Sequence, residues 1–157
     1  EAVNFNSPGQ VVIAGEKKAV AHACELMKEA GAKRALILPV SVPSHCSLMK
    51  DAAMNFKRSV DKINFQMGSE RVLHNVDADF SSNIEQIKSK LIKQLHNPVL
   101  WTSTVQRMKE SGLEKLIEAG PGKVLAGLTK RIDKSLTGSA IIDVTTLKST
   151  IEEISNA

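Results

Sequence analysis

Aromatic residues are scarce in this chain of 157 residues. Phe, Trp and Tyr together make up 3% of it, with one Trp and no Tyr. Proteins that bind single-stranded nucleic acid stack the bases on aromatic side chains within a strongly basic groove. The formal net charge here is only +4. The composition therefore argues against a nucleic-acid partner, whereas a modest positive balance fits a transient acidic protein partner.

Cysteines and long apolar runs are also scarce. Cys24 and Cys46 are the two cysteines, and they form no Cys-x-x-Cys motif. We expect both to be free thiols in a reducing compartment, which predicts a cytoplasmic location. No apolar run approaches the roughly 18 residues of a membrane-spanning helix, so we expect no membrane partner. No histidine pair has i, i+4 spacing with an acidic partner, so we predict no metal site.

The first forty residues predict a strand–helix–strand unit. Residues 4–10 are rich in Asn, Ser, Pro and Gly and predict a turn, after which Gln10 to Ala14 predicts a strand. Apolar residues at helical spacing then predict a helix that ends near Gly31, and residues 35–40 predict a buried strand. Such a unit is about half of a ferredoxin-like module.

Helices and strands alternate in the remainder of the chain. We predict helices from Ser44 to Lys62, after a capping box at residues 82–85, from Pro98, and around residues 124–132. We predict strands at residues 71–76, 116–119 and 140–144, and a closing helix. This alternation predicts a layered α/β domain with a mostly parallel sheet, and we place a domain boundary at residues 38/39.

One histidine lies in a distinctive turn. Pro39 and Pro43 interrupt the apolar segment, and Ser44 is a plausible N-cap that would place His45 at the first helical position. A neutral imidazole held there could act as a general base, although a histidine that merely satisfies a turn would give the same pattern. The adjacent Cys46 points about 100° away from His45 on a helix, so we interpret it as a small buried thiol.

This histidine stretch resembles a motif of the malonyl-CoA:acyl carrier protein transacylases. The resemblance rests on Val42-Pro43-Ser44-His45 followed by Cys46-Ser47-Leu48-Met49. Four further stretches resemble the same family in the same order, at residues 4–15, 75–78, 94–99 with Trp101, and 120–125. The family's nucleophilic serine sits in a Gly-His-Ser-x-Gly elbow, and this sequence contains none. The resemblance therefore implies the C-terminal half of such an enzyme.

The resemblance implies a fold and a set of site residues. Residues 1–38 would be part of a small ferredoxin-like subdomain, and residues 39–157 the C-terminal part of the large, hydrolase-like α/β acyltransferase domain. His45 would be the general base, and the backbone carbonyl of Gln94 would orient its ring. The amides of Asn4, Asn6 and Gln10 would line the acyl pocket. Without the resemblance, Gln94 would be a helix-end glutamine in water and these amides would be turn formers.

The resemblance also implies partners. The enzyme would move malonyl from a coenzyme A thioester, through a serine ester, to the phosphopantetheine thiol of an acyl carrier protein, with no cofactor. Lys33, Arg34, Lys130 and Arg131 would attract the acidic carrier protein. The half that carries the serine would be a further partner, and this chain alone would be inactive. Alternatives are a piece of a polyketide synthase acyltransferase, or a non-catalytic module that binds acidic proteins.

Overall fold

The computed structural model describes residues 1–156, in which six strands and six helices confirm the α/β class. The strands are β1 (Ala2–Ser7), β2 (Gln10–Ile13), β3 (Leu73–His74), β4 (Asp79–Phe80), β5 (Lys115–Ala119) and β6 (Thr137–Ile141). The helices are α1 (Lys17–Glu29), α2 (Lys50–Val60), α3 (Ile84–Gln94), α4 (Trp101–Glu110), α5 (Val124–Ile132) and α6 (Val144–Ser155). A short 3-10 helix, Ser47–Met49, precedes α2.

The chain divides into two compact units. Unit 1 consists of Glu1–Asn6 and Gln10–Trp101, and unit 2 consists of Ser7–Gly9 and the chain from Thr102 onward. The boundary predicted at residues 38/39 does not coincide with the division between these two units. That boundary and the ferredoxin-like character of residues 1–38 stay predictions.

Strand β1 lies where the sequence predicts a turn. Only Pro8 and Gly9 of residues 4–10 form the turn, and β1 and β2 pair in a two-stranded sheet. On its other side β1 pairs in parallel with Val99, whose N–H donates to the Val3 carbonyl at 2.8 Å and whose carbonyl accepts from Phe5 N–H at 2.9 Å. Partners for the backbone on both sides override the turn preference of Asn and Ser.

The predicted buried strand at residues 35–40 is wrong. This segment has no regular secondary structure, and Leu36, Ile37 and Val40 are 66%, 64% and 73% exposed. Its backbone makes a local bond instead, from Val40 N–H to the Leu38 carbonyl at 2.8 Å. A strand needs a neighbour for its backbone groups, and this segment pairs with no strand in the described part of the chain.

The helix predicted from Ser44 to Lys62 is shorter than expected. Ser44 does not cap it, because regular α-helix begins at Lys50 and Met49 holds the N-cap position. Ser44 belongs to the preceding turn, where its N–H donates to the Val42 carbonyl at 2.9 Å. Helix α2 packs against α3, and it buries Ala53 and Val60 almost completely. The Glu1 carboxylate instead accepts bonds from the Ser47 N–H and hydroxyl at the start of the 3-10 helix.

Helix α3 is confirmed, but its neighbours differ from the prediction by a few residues. Its N-cap is Asn83 rather than Ser82, because the Asn83 side chain accepts from Gln86 N–H at 2.9 Å. Pro98 does not open the next helix, which begins at Trp101. The segment between α3 and α4 is extended because it pairs with β1 through Val99.

Unit 2 contains the parallel pair that the alternation predicts. β5 and β6 pair in parallel, and α5 and α6 pack on them. The last strand ends at Ile141, because Asp143 caps α6 in a capping box with Thr146 and so draws Val144 into the helix. The prediction of a mostly parallel sheet from residue 71 onward is wrong, because β3 and β4 pair antiparallel.

His74 is buried in β3 beside charged groups. Its side chain is 8% exposed, and its Nε2 has no hydrogen-bond partner among residues 1–156. Lys90 on α3 ion-pairs with Asp77 at 3.0 Å and donates to the carbonyls of Asp79 and Phe80, which ties the β3–β4 turn to α3. Burial lowers the pKa of His74 below its ordinary value, the Lys90 charge lowers it further, and Asp77 opposes this shift.

We predict that acid destabilises unit 1 through His74. A histidine whose pKa is lowered by folding binds its proton more readily when unfolded, so its stabilising contribution is complete above about pH 6.5 and is lost as the pH falls towards the folded pKa. The free energy of unfolding, measured by urea denaturation between about pH 7.5 and about pH 5.5, should fall less steeply for His74→Asn than for the unsubstituted chain. Equal slopes would show that folding does not change the pKa of His74.

Candidate active site

His45 lies in a left-handed backbone conformation at the end of the Pro-rich turn. Its φ is 66°, a region that non-glycine residues occupy at a cost, although histidine tolerates it better than most. The prediction that His45 opens a helix is therefore wrong. Its backbone N–H donates to the Leu95 carbonyl at 3.1 Å, and its ring Nδ1 lies 2.7 Å from the Gln94 carbonyl oxygen. Two successive carbonyls thus hold one residue at both its backbone and its ring.

Both carbonyls belong to the C-terminal end of α3. The last carbonyls of a helix have no intrahelical donor and must find other partners. Here His45 supplies both donors, its backbone N–H and its ring, and these bonds fix the turn against the end of the helix. The link closes a separation of 49 residues between His45 and Gln94.

The short Nδ1 contact determines the tautomer of the ring. A carbonyl oxygen only accepts, so Nδ1 carries the proton and donates it to Gln94, which leaves a lone pair on Nε2. The Gln94 side-chain amide lies farther from Nδ1, at 3.4 Å, and its protons have acceptors in the carbonyls of Asn97 and Pro98 at 3.3 and 3.4 Å. His45 is half-buried, and its contact with Gln94 uses Nδ1 rather than Nε2. The arrangement can accept a proton at Nε2.

The three predicted pocket amides lie on the first two strands, Asn4 and Asn6 on β1 and Gln10 on β2. Asn4 forms a parallel bridge with Val99, so β1 runs beside the segment that follows Gln94. Asn4 and Asn6 are half-buried, and Gln10 is exposed at the start of β2. The structure therefore brings Asn4 close to the chain that leaves the site.

Cys46 is completely buried, with 0% exposure, and its thiol donates to the Pro43 carbonyl at 3.1 Å. This confirms the prediction of a small buried thiol. Cys24 is also a buried free thiol. The buried Cys46 side chain anchors the turn from inside, directly after the histidine.

The other histidines have different surroundings. His22 is exposed on α1 beside Glu25, at 3.7 Å, and His74 is buried in β3. His96 has a buried Nδ1 without a partner among the described residues. Within residues 1–156 no three His, Cys, Asp or Glu residues group as metal ligands, and no helix has the length and apolar character needed to cross a bilayer.

The predicted docking residues are exposed. Lys33 and Arg34 follow α1 in unit 1, and Lys130 and Arg131 lie in the last turn of α5 in unit 2. At the other end of α5, the Glu118 carboxylate accepts from Ala126 N–H at 2.9 Å. The chain's own carboxylate thus occupies the position at which this helix N-terminus could bind an anion.

Sequence reasoning missed several groups that shape the site. The Leu95 carbonyl and the side chain of Asn97, which donates to the Lys93 carbonyl at 2.8 Å, both contribute to the helix end that meets His45. Backbone carbonyls leave no side-chain signature. The Asn97-Pro98 pair was the available signal, because Asn is common where helices end and Pro cannot continue one.

The sequence and the fold are both similar to known transacylases. The malonyl CoA-acyl carrier protein transacylase of Escherichia coli strain K12 is 53% identical over 150 residues, which are 96% of this chain and 48% of that protein. The protein of the same name from Bacillus subtilis strain 168 is 41% identical over 154 residues, which are 98% of this chain and 49% of that protein. No protein-family model matches the chain.

Solved structures give the same result. An acyl carrier protein S-malonyltransferase from Vibrio cholerae superimposes with a TM-score of 0.91 at 55% identity, over 96% of this chain and 49% of that chain. The chain belongs to the malonyl CoA-acyl carrier protein transacylase family. A second transacylase structure, solved with a type II polyketide synthase acyl carrier protein, matches with a TM-score of 0.94 at 50% identity, over 98% of this chain and 50% of that chain. The chain spans about half the length of the curated transacylases that it matches.

We predict that the neutral His45 ring is the Nδ1–H tautomer. Free histidine favours the Nε2–H form, so the bond to the Gln94 carbonyl must reverse that preference. Long-range ¹H–¹⁵N spectra of the chain, recorded at a pH at which the ring is neutral, should show a protonated Nδ1 and an unprotonated Nε2. The exposed His22, which has no carbonyl contact of this kind among residues 1–156, serves as the internal reference. A protonated Nε2 on His45 would contradict the arrangement.

Proposed function

We propose that this chain carries the general base of a malonyl-CoA:acyl carrier protein transacylase and forms the C-terminal half of that enzyme. The observation that supports this most directly is the 2.7 Å contact between His45 Nδ1 and the Gln94 carbonyl oxygen. It leaves Nε2 as a proton acceptor with a fixed direction, which is what a base beside a serine nucleophile requires.

The proposed reaction proceeds in two acyl transfers. In the first, His45 Nε2 takes the proton of the serine hydroxyl while the serine oxygen attacks the thioester carbonyl of malonyl-CoA. The resulting imidazolium returns that proton to the departing coenzyme A thiolate, which leaves a malonyl serine ester. In the second, Nε2 takes a proton from the phosphopantetheine thiol, whose sulfur attacks the ester, and the serine oxygen leaves and is reprotonated.

The Gln94 carbonyl would serve in place of a carboxylate. It holds the Nδ1–H tautomer, and it accepts a stronger hydrogen bond when the ring becomes an imidazolium, because a bond to a charged group contributes about 1.5–3 kcal/mol. A neutral acceptor stabilises the cation less than a carboxylate would. The base is therefore oriented chiefly by geometry, through the bonds at its backbone and its ring.

The half that carries the nucleophile would be the first partner of this chain. Support comes from the similarity over about half of each relative and from the apolar surface of residues 36–42, where Leu36, Ile37, Leu38, Val40 and Val42 are 48–73% exposed. Such a surface is costly in water, and the backbone of this segment pairs with no strand among residues 1–156, so a strand of the other half could pair with it. We propose that the serine half covers this segment.

An acyl carrier protein would be the second partner. A similar transacylase was solved with an acyl carrier protein of a type II polyketide synthase, and exposed basic residues on this chain suit an acidic carrier. Because the carrier protein in that structure belongs to a polyketide synthase, the proposed partner is either a fatty-acid or a polyketide acyl carrier protein. The substrate pocket residues Asn4, Asn6 and Gln10, the absence of a cofactor and the cytoplasmic location stay proposals of the same kind.

We predict that this chain alone transfers no malonyl group. It has no Gly-x-Ser-x-Gly elbow, and the oxyanion donor that normally follows the nucleophile would be missing with it. Incubation with labelled malonyl-CoA, followed by intact mass spectrometry, should give no adduct. An adduct on a serine of this chain that disappears in His45→Ala would show that the nucleophile lies here.

Adding the other half of the Escherichia coli transacylase should restore labelling on a serine of that half. His45→Ala in this chain should then slow labelling by about 10²- to 10⁴-fold, because a positioned base is lost. His22→Ala, a change at an exposed histidine of α1, should leave the rate unchanged. Restored labelling that is indifferent to His45→Ala would refute its role as the base.

We predict that basic residues of α5 affect transfer to the carrier protein more than loading from coenzyme A. In the restored enzyme, Lys130→Glu should lower the rate of transfer to the carrier protein and weaken its dependence on salt, because long-range attraction is lost. Lys18→Glu, the same charge change on the exposed face of α1, is the control. If Lys130→Glu slows both half-reactions equally, Lys130 acts structurally or contacts coenzyme A.

A further inference from the structure

Two carbonyls at the end of α3 are free for His45 because of the residues that follow. In a continuing helix the Gln94 carbonyl would accept from the N–H of residue 98, and that residue is Pro98, which has none. The Leu95 carbonyl would accept from the N–H of Val99, and that group donates to the Val3 carbonyl of β1 at 2.8 Å. No backbone donor at either helical position competes with His45.

The side chain of Asn97 caps the carbonyl that precedes the one of Gln94, which is the carbonyl of Lys93. Its side-chain Nδ2 donates to the Lys93 carbonyl at 2.8 Å, which also accepts from His96 N–H at 3.1 Å. Its backbone carbonyl accepts from the Gln94 side-chain amide at 3.3 Å. Asn97 therefore contacts the peptide before Gln94 and the side chain of Gln94, and so fixes the direction in which the Gln94 carbonyl points.

We propose that Asn97 and Pro98 are positioning residues for His45. Asn97 caps the Lys93 carbonyl near the end of α3 and holds the Gln94 side chain, while Pro98 removes the one backbone N–H that could draw the Gln94 carbonyl back into the helix. The Gln94 carbonyl is thereby reserved for the ring Nδ1. This proposal rests on the proposed function for its purpose, but its geometry can be tested on the chain itself.

The first test measures the tautomer of the neutral His45 ring in two variants. Asn97→Ala removes the side-chain donor to Lys93, and Pro98→Ala supplies an N–H four residues after Gln94. In each variant the ratio of Nδ1–H to Nε2–H tautomer should fall, by about fivefold if one neutral hydrogen bond is lost. Pro98→Ala is the more robust variant, because it deletes no contact of the helix end and removes a residue that disfavours helix.

The matched control is Asn83→Ala at the opposite end of the same helix. The Asn83 side chain caps α3 by accepting from Gln86 N–H at 2.9 Å, so its loss weakens α3 without touching the residues around His45. The tautomer ratio should stay at the value of the unsubstituted chain. An equal shift in Asn83→Ala, or an unchanged ratio in both Asn97→Ala and Pro98→Ala, would overturn the proposal.

The second test uses the enzyme restored with the other half. Pro98→Ala should lower kcat for serine labelling and leave KM for malonyl-CoA nearly unchanged, because the base is misdirected rather than the substrate site altered. A rise in KM with constant kcat would contradict a positioning role. If the unsubstituted chain has Nε2–H on His45, the proposed function itself fails; if that chain has Nδ1–H and the variants do not move it, only the positioning role fails.

Discussion

The site depends on a helix whose last two carbonyls have no hydrogen-bond partner within the helix. The end of a helix in a folded protein must give its last carbonyls to some donor, and α3 gives two of them to the backbone and ring of His45. These bonds hold the residue in a left-handed conformation that would otherwise be costly. The same bonds fix which ring nitrogen carries the proton. The bonds that satisfy the helix-end carbonyls are therefore the same bonds that set the protonation of the His45 ring.

The polar interactions around α3 keep this helix end in place. Asn83 caps its start, and Lys90 in its middle donates to the β3–β4 turn with only 11% of its side chain exposed. After the helix, Val99 joins the chain to β1, so the segment that leaves the site is held as a strand. The base that we propose is oriented by a neutral carbonyl rather than by a carboxylate, and such a role requires this kind of rigid support.

Sequence reasoning succeeded where the signal is local and periodic. Helices α1, α3 and α5 follow the spacing of their apolar residues, and β5 follows a short apolar run before Gly120. It failed where the outcome depends on a distant partner. Residues 4–7 became strand because Val99 lies beside them, and residues 35–40 stayed irregular because no strand of the described chain does. Ser44 lost its expected capping role because the turn is tied to α3 instead.

The sequence by itself determined the family, the identity of His45 as the unusual histidine, and the two residues, Asn97 and Pro98, that must end a helix after Gln94. These follow from the chemistry of individual residues, above all from a proline that has no N–H to give. Only the tertiary structure decided how His45 is held, since its partners are backbone carbonyls 49 and 50 residues away, and every residue carries such a group. A backbone acceptor acquires its role from its position in the fold, and no side chain in the sequence marks it.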